Sequence, residues 1–563
     1  MKDEVPAACD LLVVGSGAAG LSAAIAARHH GLEVVVAEKA ARFGGTTALS
    51  GGAVWIPCNR FAQRDGIPDS LDAARRYLEA EAGPYFDAEH VDAYLAAGPR
   101  MVEFFDRHSA VKFVPDHSFP DYHPDLPGGL PGGRSLWAAP YDARALGDAF
   151  ALLAPPLPQY TFLGMGIGSG VDYRHFMNAQ RSLRSAFYVA RRVIEHGIHR
   201  LRYGHGIRLF NGNALVARMA RTMFDLGIPL RLSSPVQSLV VEEGAVRGGV
   251  FRTDGGTRSI VARRGVLLAC GGFPSDAALR ASYLSPFQIH SLAPAENAGD
   301  GLRLAEAAGG AIVSAVKTPT YAAPVSHVPR PGGTEWLMPH FVDRGKPGII
   351  AVTAAGRRFV NESDSYQDVA HALIREQVDG RRNSAFFLCD HRAIRQYGLG
   401  YAKPFPVPLG PHLRSGYLHR GDTIAALARA CGIDASALQA TIERFNADAR
   451  KGADSEFGKG SSAYNRFQGD AAHRPNPGLA PIEKPPFYAV RIEAADMSTF
   501  VGLRTNRHAQ VLGADGRPIV GLYAAGNDAA SIFGGSCPGG GVTIGPAMTF
   551  GYIAGCHAAG AEP

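Results

Sequence analysis

Several absences narrow the chemistry of this 563-residue chain before any motif is considered. No run of about 18 apolar residues marks a membrane span. The opening residues, MKDEVPAACD, hold no apolar signal region. No block of Lys and Arg stands out and the net charge is only +6, so nucleic acid is not an expected partner. The seven cysteines, Cys9, Cys58, Cys270, Cys389, Cys431, Cys537 and Cys556, lack CxxC spacing. That argues against a zinc or iron–sulfur site and against a disulfide framework, and it points to the cytosol. His117, His123, His327 and His371 stand in no ligand-type spacing, so no metal is expected. No G-x-S-x-G elbow is present. Charged residues make up 19% and hydrophobic ones 46%, a globular balance over a length that fits two or more domains. The Arg-rich stretch Arg191–Arg208 (RRVIEHGIHRLRYGHGIR) is read first as a solvated helix face. Its second reading is a peripheral contact with anionic lipid.

Glycine, by contrast, is abundant, with 68 residues. The decisive ones follow a fully apolar segment, Leu11–Val14, too apolar on both sides to be a surface strand. Gly15-Ser16-Gly17-Ala18-Ala19-Gly20 has the GxGxxG spacing. Gly15 allows the tight turn, Gly17 lets backbone approach a pyrophosphate, and Gly20 lets helix and strand pack closely. A helix from about Ala18 to His30 aims its free N–H groups at that pyrophosphate. A second strand, Glu33–Ala37, ends at Glu38, where an acid holds ribose hydroxyls, and Lys39 follows. Strand, turn, helix and acid together specify a dinucleotide site, but not which dinucleotide. The small-residue segment Phe43-Gly44-Gly45-Thr46-Thr47-Ala48-Leu49-Ser50-Gly51-Gly52 suits a bulky ring system.

Residues 53–110 have helical periodicity. Residues 112–140, rich in Pro and Gly, are expected as loop, and a long loop in a compact domain is usually functional. Helix and loop continue to 200. Another helix follows Arg208, with Asn211 or Asn213 as cap. Leu226–Leu232, Val236–Glu242 and the segment from Ser259 to Gly271-Gly272 are expected strands. Helices are expected at Asp422–Ala430 and Ala435–Lys451, loop at 454–476, and strands from Phe487 and from Leu522 to Gly526-Asn527. A last helix contains Pro546 in its first turn.

From GGTTALSGG onward the sequence resembles FAD flavoproteins of the fumarate reductase superfamily. With Gly356-Arg-Arg-Phe-Val-Asn-Glu-Ser363 and the C-terminal GLYAAGND…GPAMTFGYIAG, it resembles 3-ketosteroid Δ1-dehydrogenases in particular. The resemblance implies that a proton is taken from the carbon next to a ketone and a hydride passes from the next carbon to flavin N5. Fumarate reductases carry RFxNE, three intervening residues and then Arg, where this chain has Tyr366 after Ser363, Asp364 and Ser365. A tyrosinate can take a proton from carbon and a guanidinium cannot, so Tyr366 matches the family's base. Tyr122 matches its supporting Tyr. The family's ketone-binding Tyr and Gly fall at Cys537 and Gly541. Gly541 can still donate its N–H, but a thiol is short and a weak donor. Cys537 is therefore expected as a small pocket-lining residue. Loss of one oxyanion donor costs about 2.7–4 kcal/mol, so either another donor reaches in or the substrate differs. Tyr321 and Tyr488 lie near motifs and are candidates to line the pocket, with core packing as the default, and Tyr523 is read as structural.

The expected fold is α/β, with a Rossmann-type FAD-binding domain split in sequence and an inserted α+β catalytic domain. Residues 1–287 form its first part, with a helical and loop insertion at about 53–225. Residues 288–480 form the catalytic domain and 481–563 the second FAD-binding part. Noncovalent FAD is expected, since GGTTALSGG has no His for a flavin bond. The cofactor-binding set is Gly15, Gly17, Ala18, Ala19, Gly20, Glu38, Lys39, Gly44, Gly45, Thr46, Thr47, Ser50, Gly51, Gly52, Val236, Gly271, Asp300, Gly526, Asn527, Val542 and Thr543. The expected reaction is desaturation of a cyclic ketone, most simply a 3-ketosteroid at C1–C2, with a quinone or similar electron acceptor. Alternatives are a cyclohexanone-type ketone, the Δ4 bond of a 5α-steroid, or enoate reduction.

Overall fold

The computed structural model describes residues 7–253, 256–284, 289–376 and 385–563. Its first sheet is organised by the segment Ala8–Val14, whose last four residues are all buried. Val34–Ala37 and Gly256–Leu268 flank it in parallel register, with Leu12 opposite both Val35 and Val266. Leu230–Arg231 extends one edge. Ala245–Thr253 and Val236–Glu242 continue beyond Gly256–Leu268, and Pro518–Ala524 pairs parallel to that strand as well. Such buried parallel strands need helices on their faces. Helix Ala18–His29 covers one face and packs tightly against the final helix, Ile544–Ala558. The close approach depends on small residues: a Cβ at Gly551 would lie 2.3 Å from the Ala19 carbonyl oxygen. Ser22 Oγ also donates to Met548 O at 2.7 Å.

The second sheet runs Glu335–Pro339, Thr320–Pro329, Phe487–Thr499, Ala385–Asp390, Ile349–Thr353. This corrects the expectation that residues 481–563 rejoin the first sheet together. Phe487–Thr499 is the central strand of the second sheet, where Ala385–Asp390 and Thr320–Pro329 bury it on both edges. We propose that the second boundary falls near residue 500. The expected boundary at 287 lies outside the described residues.

Other expectations are refined. Ala53–Trp55, at the start of the helical stretch, is a strand. The loop at 112–140 contains two more: Ser135–Ala138 pairs with it on one edge and with Phe113–Pro115 on the other. Between them the chain is fixed by buried Asp121. Its carboxylate accepts from Trp55 Nε1 (2.8 Å), Leu130 N–H (2.9 Å) and Arg134 Nη1 (2.7 Å). Neither Asn211 nor Asn213 caps its helix, which starts after Phe210 without a side-chain cap. Asn211 bridges Ile167 and Ser169, and Asn213 holds Ala154 O. The Leu226 strand shrinks to Leu230–Arg231 because the helix turn before it runs on. The loop at 454–476 includes a short helix, Ala463–Gln468.

The GRRFVNES segment is held by a buried ion network. Arg358 donates to both Glu362 oxygens (2.9 and 2.8 Å) and to Asp454 (2.8 and 3.0 Å). Lys459 Nζ lies 3.4 Å from Glu362, and Glu362 also accepts the Ala351 N–H. Removing one partner of such a network leaves buried charge uncompensated. Arg358→Met should therefore lower stability by about 3–5 kcal/mol, read as a lower denaturant midpoint of the FAD-loaded protein.

Candidate active site

A cavity of about 2000 Å³ runs from the glycine-rich turn to the second sheet. At the turn, Gly15 has φ +110°, and a Cβ there would lie 2.1 Å from Ala269 O. Helix Ala18–His29 begins with no side-chain cap at Gly17, and no side chain among the described residues takes the Ala19 or Gly20 N–H, which leaves those two for a ligand. Glu38 Oε2 accepts from Ser16 N–H (3.0 Å) and Oγ–H (2.6 Å), and Oε1 accepts from Ala40 N–H (2.8 Å). Thr47 Oγ1 accepts the Ala18 N–H at 3.0 Å. Asn297 Nδ2 bridges Thr46 Oγ1 and Gly271 O. Lys39 pairs with Asp300 at 2.5 Å.

Of the expected cofactor set, Gly15, Gly17, Ala18, Ala19, Glu38, Lys39, Gly45, Thr46, Thr47, Ser50, Gly51, Gly52, Val236, Gly271, Asp300, Gly526, Asn527 and Thr543 line this cavity. Gly20, Gly44 and Val542 stand behind its wall. Gly20 carries the helix onto the Gly15 carbonyl, and Gly44 abuts Val216. An uncapped helix start, an acid at a strand end and a long small-residue wall fit a dinucleotide with a broad ring. Buried Asp528 was not legible as a support. Its carboxylate accepts from Cys270 N–H (2.5 Å) and Gly272 N–H (2.9 Å), fixing the turn after the Gly256–Leu268 strand.

At the other end three phenols converge. Tyr366 opens helix Tyr366–Arg375, capped by Ser365. Tyr122 OH donates to Tyr366 Oη at 3.1 Å. The Tyr321 hydroxyl makes a second, very short contact with the same oxygen. Burial holds the Tyr366 pKa well above the ordinary tyrosine value, and the hydrogen bonds with Tyr122 and Tyr321 offset only part of that rise. The contact with Tyr366 instead adds to the upward shift that burial gives Tyr122 and Tyr321. The arrangement thus marks Tyr366 as the phenol best placed to act as an anion.

Each phenol is held from behind. Tyr122 N–H donates to Pro538 O. Next to it, His123 bridges Glu81 and, at 3.0 Å, Asp368 of the Tyr366 helix. Gln367 Oε1 accepts the Ala322 N–H (2.6 Å) and Nε2 donates to Thr320 O (3.0 Å), locking the Tyr321 strand to the same helix.

Gly541 lines the cavity. It has φ +107°, and a Cβ would lie 2.6 Å from Val54 backbone atoms. Its carbonyl accepts from Gly545 N–H. Its own N–H has no partner among the described residues. Cys537 departs from expectation: it is buried behind the wall rather than lining it. Burial pushes its thiol pKa well up, so it is no thiolate. Its charge would still be felt by both Tyr366 and Tyr321. Tyr321, read from sequence as core by default, is the phenol whose contact with Tyr366 sequence reasoning missed. Tyr488 stays buried in the second sheet, bonded to His391, and Tyr523 bonds His557. Away from the cavity, His290, His327 and Glu493 bring ligand-type atoms within 4.8 Å of one another. They come from three strands, so no local spacing announces them.

A family model described as an FAD binding domain matches residues 10–544. The chain belongs to this FAD-binding family. The 4-oxocyclohex-2-ene-1-carboxylate 5-dehydrogenase of Sinomonas cyclohexanicum is 40% identical over 99% of this chain and 94% of its own length. The 3-oxosteroid 1-dehydrogenase of Mycobacterium tuberculosis H37Rv is 37% identical over 98% of each. The crystal structure of 3-ketosteroid Δ1-dehydrogenase from Sterolibacterium denitrificans, in complex with 1,4-androstadiene-3,17-dione, matches with a TM-score of 0.91 at 36% identity. The match covers 99% of this chain and 100% of that one. The flavoprotein is an FAD-dependent oxidoreductase acting on a CH–CH group, of the 3-ketosteroid Δ1-dehydrogenase-like type.

Hydrogen bonds to a charged group contribute about 1.5–3 kcal/mol, and 1.36 kcal/mol is one pKa unit. Removing a donor to Tyr366 disfavours its anion, so its pKa rises. Tyr321→Phe and Tyr122→Phe should each move the acid limb of the kcat/KM pH profile upward by about 1–2 units, with FAD content unchanged.

Proposed function

We propose that the flavoprotein desaturates a cyclic ketone next to its carbonyl, most simply a 3-ketosteroid at C1–C2. The observation that carries this reading is the meeting of Tyr122 and Tyr321 on Tyr366 in a cavity that also holds the unmatched Gly541 N–H. Tyr366 takes the α-proton, and Tyr122 and Tyr321 hold it in place for that step. The Gly541 N–H donates to the carbonyl oxygen as negative charge develops there. Bound FAD supplies the hydride acceptor. A quinone or similar compound receives the electrons. Buried Tyr464 and the half-buried, stacked rings of Phe341 and Tyr160 line the cavity and limit the access of water to Tyr366.

A smaller cyclic ketone is the second reading. Cys537 leaves one phenol fewer on the C-terminal turn than the family resemblance implies. The 40%-identical relative is named for a cyclohexene carboxylate. Enoate reduction is disfavoured by Tyr366, which takes the place of a protonated Arg. Tyr366→Phe should retain bound FAD and lose about 10²–10⁴-fold in turnover. The assay is anaerobic bleaching of the flavin by androst-4-ene-3,17-dione, 5α-androstanedione and cyclohexanone. A Tyr366→Phe protein as active as the parent would remove the proposed base.

We further propose that this cytoplasmic enzyme rests on a bilayer surface. No helix among the described residues is long and apolar enough to cross a membrane. Residues 191–203 of the basic segment lie on helix Leu183–Tyr203, whose exposed face carries apolar side chains beside the basic ones. Leu183, Phe187, Ile194, Ile198 and Leu201 are 56–91% exposed, and their spacing of 4, 7, 4 and 3 residues keeps them on one narrow stripe. Exposed Arg184, Arg191, Arg200 and Arg202 flank it. The helix's one acid, Glu195, pairs with Arg208. The opposite face lines the cavity through Val189, Arg192 and His196. An apolar stripe between arginines suits an anionic lipid surface. The protein should co-sediment with phosphatidylglycerol vesicles. Phe187→Ser with Ile194→Ser should release it while flavin bleaching by a soluble ketone persists.

A further inference from the structure

One wall of the cavity carries more positive charge than its neighbours balance. Lys346 is only 8% exposed and lines the cavity. Its Nζ donates to Gln468 O and Gly469 O, both at 2.7 Å. Those bonds leave the third N–H, and among the described residues the ammonium pairs with no carboxylate. Lys403 lines the same wall. Its Nζ has only the ring of Tyr401, 5.7 Å from the centroid, and no ion-pair partner among the described residues.

The two acids nearby are already engaged. Asp343 accepts from His340 Nδ1 (2.6 Å) and Gly400 N–H (2.7 Å). Asp470 accepts from Arg181 (2.6 Å) and Tyr397 OH (2.7 Å). Burial is the largest influence on both lysines and pulls their pKa values down, that of Lys346 to about 8. Asp343 favours the charged form of both lysines and Asp470 that of Lys346, but neither acid pairs directly with them. An ammonium without a direct partner is costly to keep in a cavity wall, and an uncharged substrate would leave both so.

This wall adjoins the phenols. The Phe341 ring lies 4.8 Å from that of Tyr366, two residues before Asp343. The Tyr464 ring lies 5.0 Å from that of Tyr122. The Tyr464 hydroxyl accepts from Gln468, whose carbonyl holds Lys346. Lys346 therefore stands about one layer of side chains beyond the base. Asp343 ties the Lys403 loop to it, accepting the Gly400 N–H on its carboxylate and the Lys346 N–H on its carbonyl.

Building on the desaturation reading above, we propose that the ketone taken by this cavity carries a carboxylate on the side away from its carbonyl, seated between Lys346 and Lys403. The cyclic ketone presents its α-carbon to Tyr366, and charge-assisted hydrogen bonds from the ammonium groups fix the far end. The seat sets which ketones are accepted. It takes no part in bond breaking.

The test uses the FAD-loaded protein and four ketones: 4-oxocyclohexanecarboxylate, its methyl ester, a 3-ketosteroid whose side chain ends in a carboxylate, and androst-4-ene-3,17-dione. Breaking a buried charge pair typically costs 2–5 kcal/mol. A free acid should therefore have a KM at least about 10-fold below its uncharged counterpart. Lys403→Met should remove that advantage with the KM for the uncharged ketones unchanged, and Lys403→Arg should retain much of it. Preference for the small acid or for the steroid acid identifies which ring bears the carboxylate. Equal handling of the small acid and its ester, or equal loss on all four ketones in Lys403→Met, overturns the seat and leaves desaturation standing. If no ketone is turned over but the acid perturbs the flavin spectrum in a Lys403-dependent way, the seat stands and the desaturation reading falls.

Discussion

One oxygen organises this site. The Tyr366 hydroxyl accepts a hydrogen bond from Tyr122 and shares another with Tyr321, and each phenol arrives on a different part of the chain. Tyr122 comes from the loop pinned by Asp121, Tyr321 from a strand of the second sheet, and Tyr366 from the first turn of a helix. For all three to meet, the loop, the sheet and the helix must be in register to within a hydrogen-bond length. Much of the buried polar structure serves that register. His123 joins the loop to the helix through Asp368. Gln367 joins the helix to the strand. The Arg358–Glu362 network holds the segment that leads into the helix.

How much of this was legible in the sequence depended on range. The FAD-binding turn was readable because its chemistry is local. Gly15, Gly17 and Glu38 lie within one βα unit, and each residue type is demanded by backbone geometry or by a hydrogen bond inside that unit. Tyr366 was readable because it replaces a residue within a recognisable motif. Tyr321 was not. It sits on an apolar strand where an inward-facing Tyr resembles core, and only the pairing of that strand with Phe487–Thr499 brings it to the site. The assignment of Phe487–Thr499 failed for a related reason. Its alternation specifies a strand, but nothing local says which of two sheets will pair with it. Asn211 and Asn213 suited a cap by residue type, yet long-range bonds to other loops took their side chains.

Cys537 shows how a local departure is absorbed. A thiol there removes a phenol from the turn that carries Gly541. The site is not thereby poor in hydroxyls, because Tyr321 enters on the Thr320–Pro329 strand. The turn itself stays rigid. The Pro538 carbonyl accepts from Tyr77 OH and Tyr122 N–H, and the Gly540 carbonyl accepts from Ser135. The position of the Gly541 N–H is thus set by the backbone and not by the side chain at 537. That separation lets the residue at 537 vary in size without moving the donor.

The close packing of Ala18–His29 on Ile544–Ala558 bears on synthesis. The second sheet draws all its strands from between residues 290 and 499, so a ribosome-bound chain can close it first. The cofactor turn precedes its partner helix by about 500 residues and stays without it until Ile544–Ala558 emerges. An emerging polypeptide would therefore capture FAD late, and loading would report that helix Ile544–Ala558 had been made.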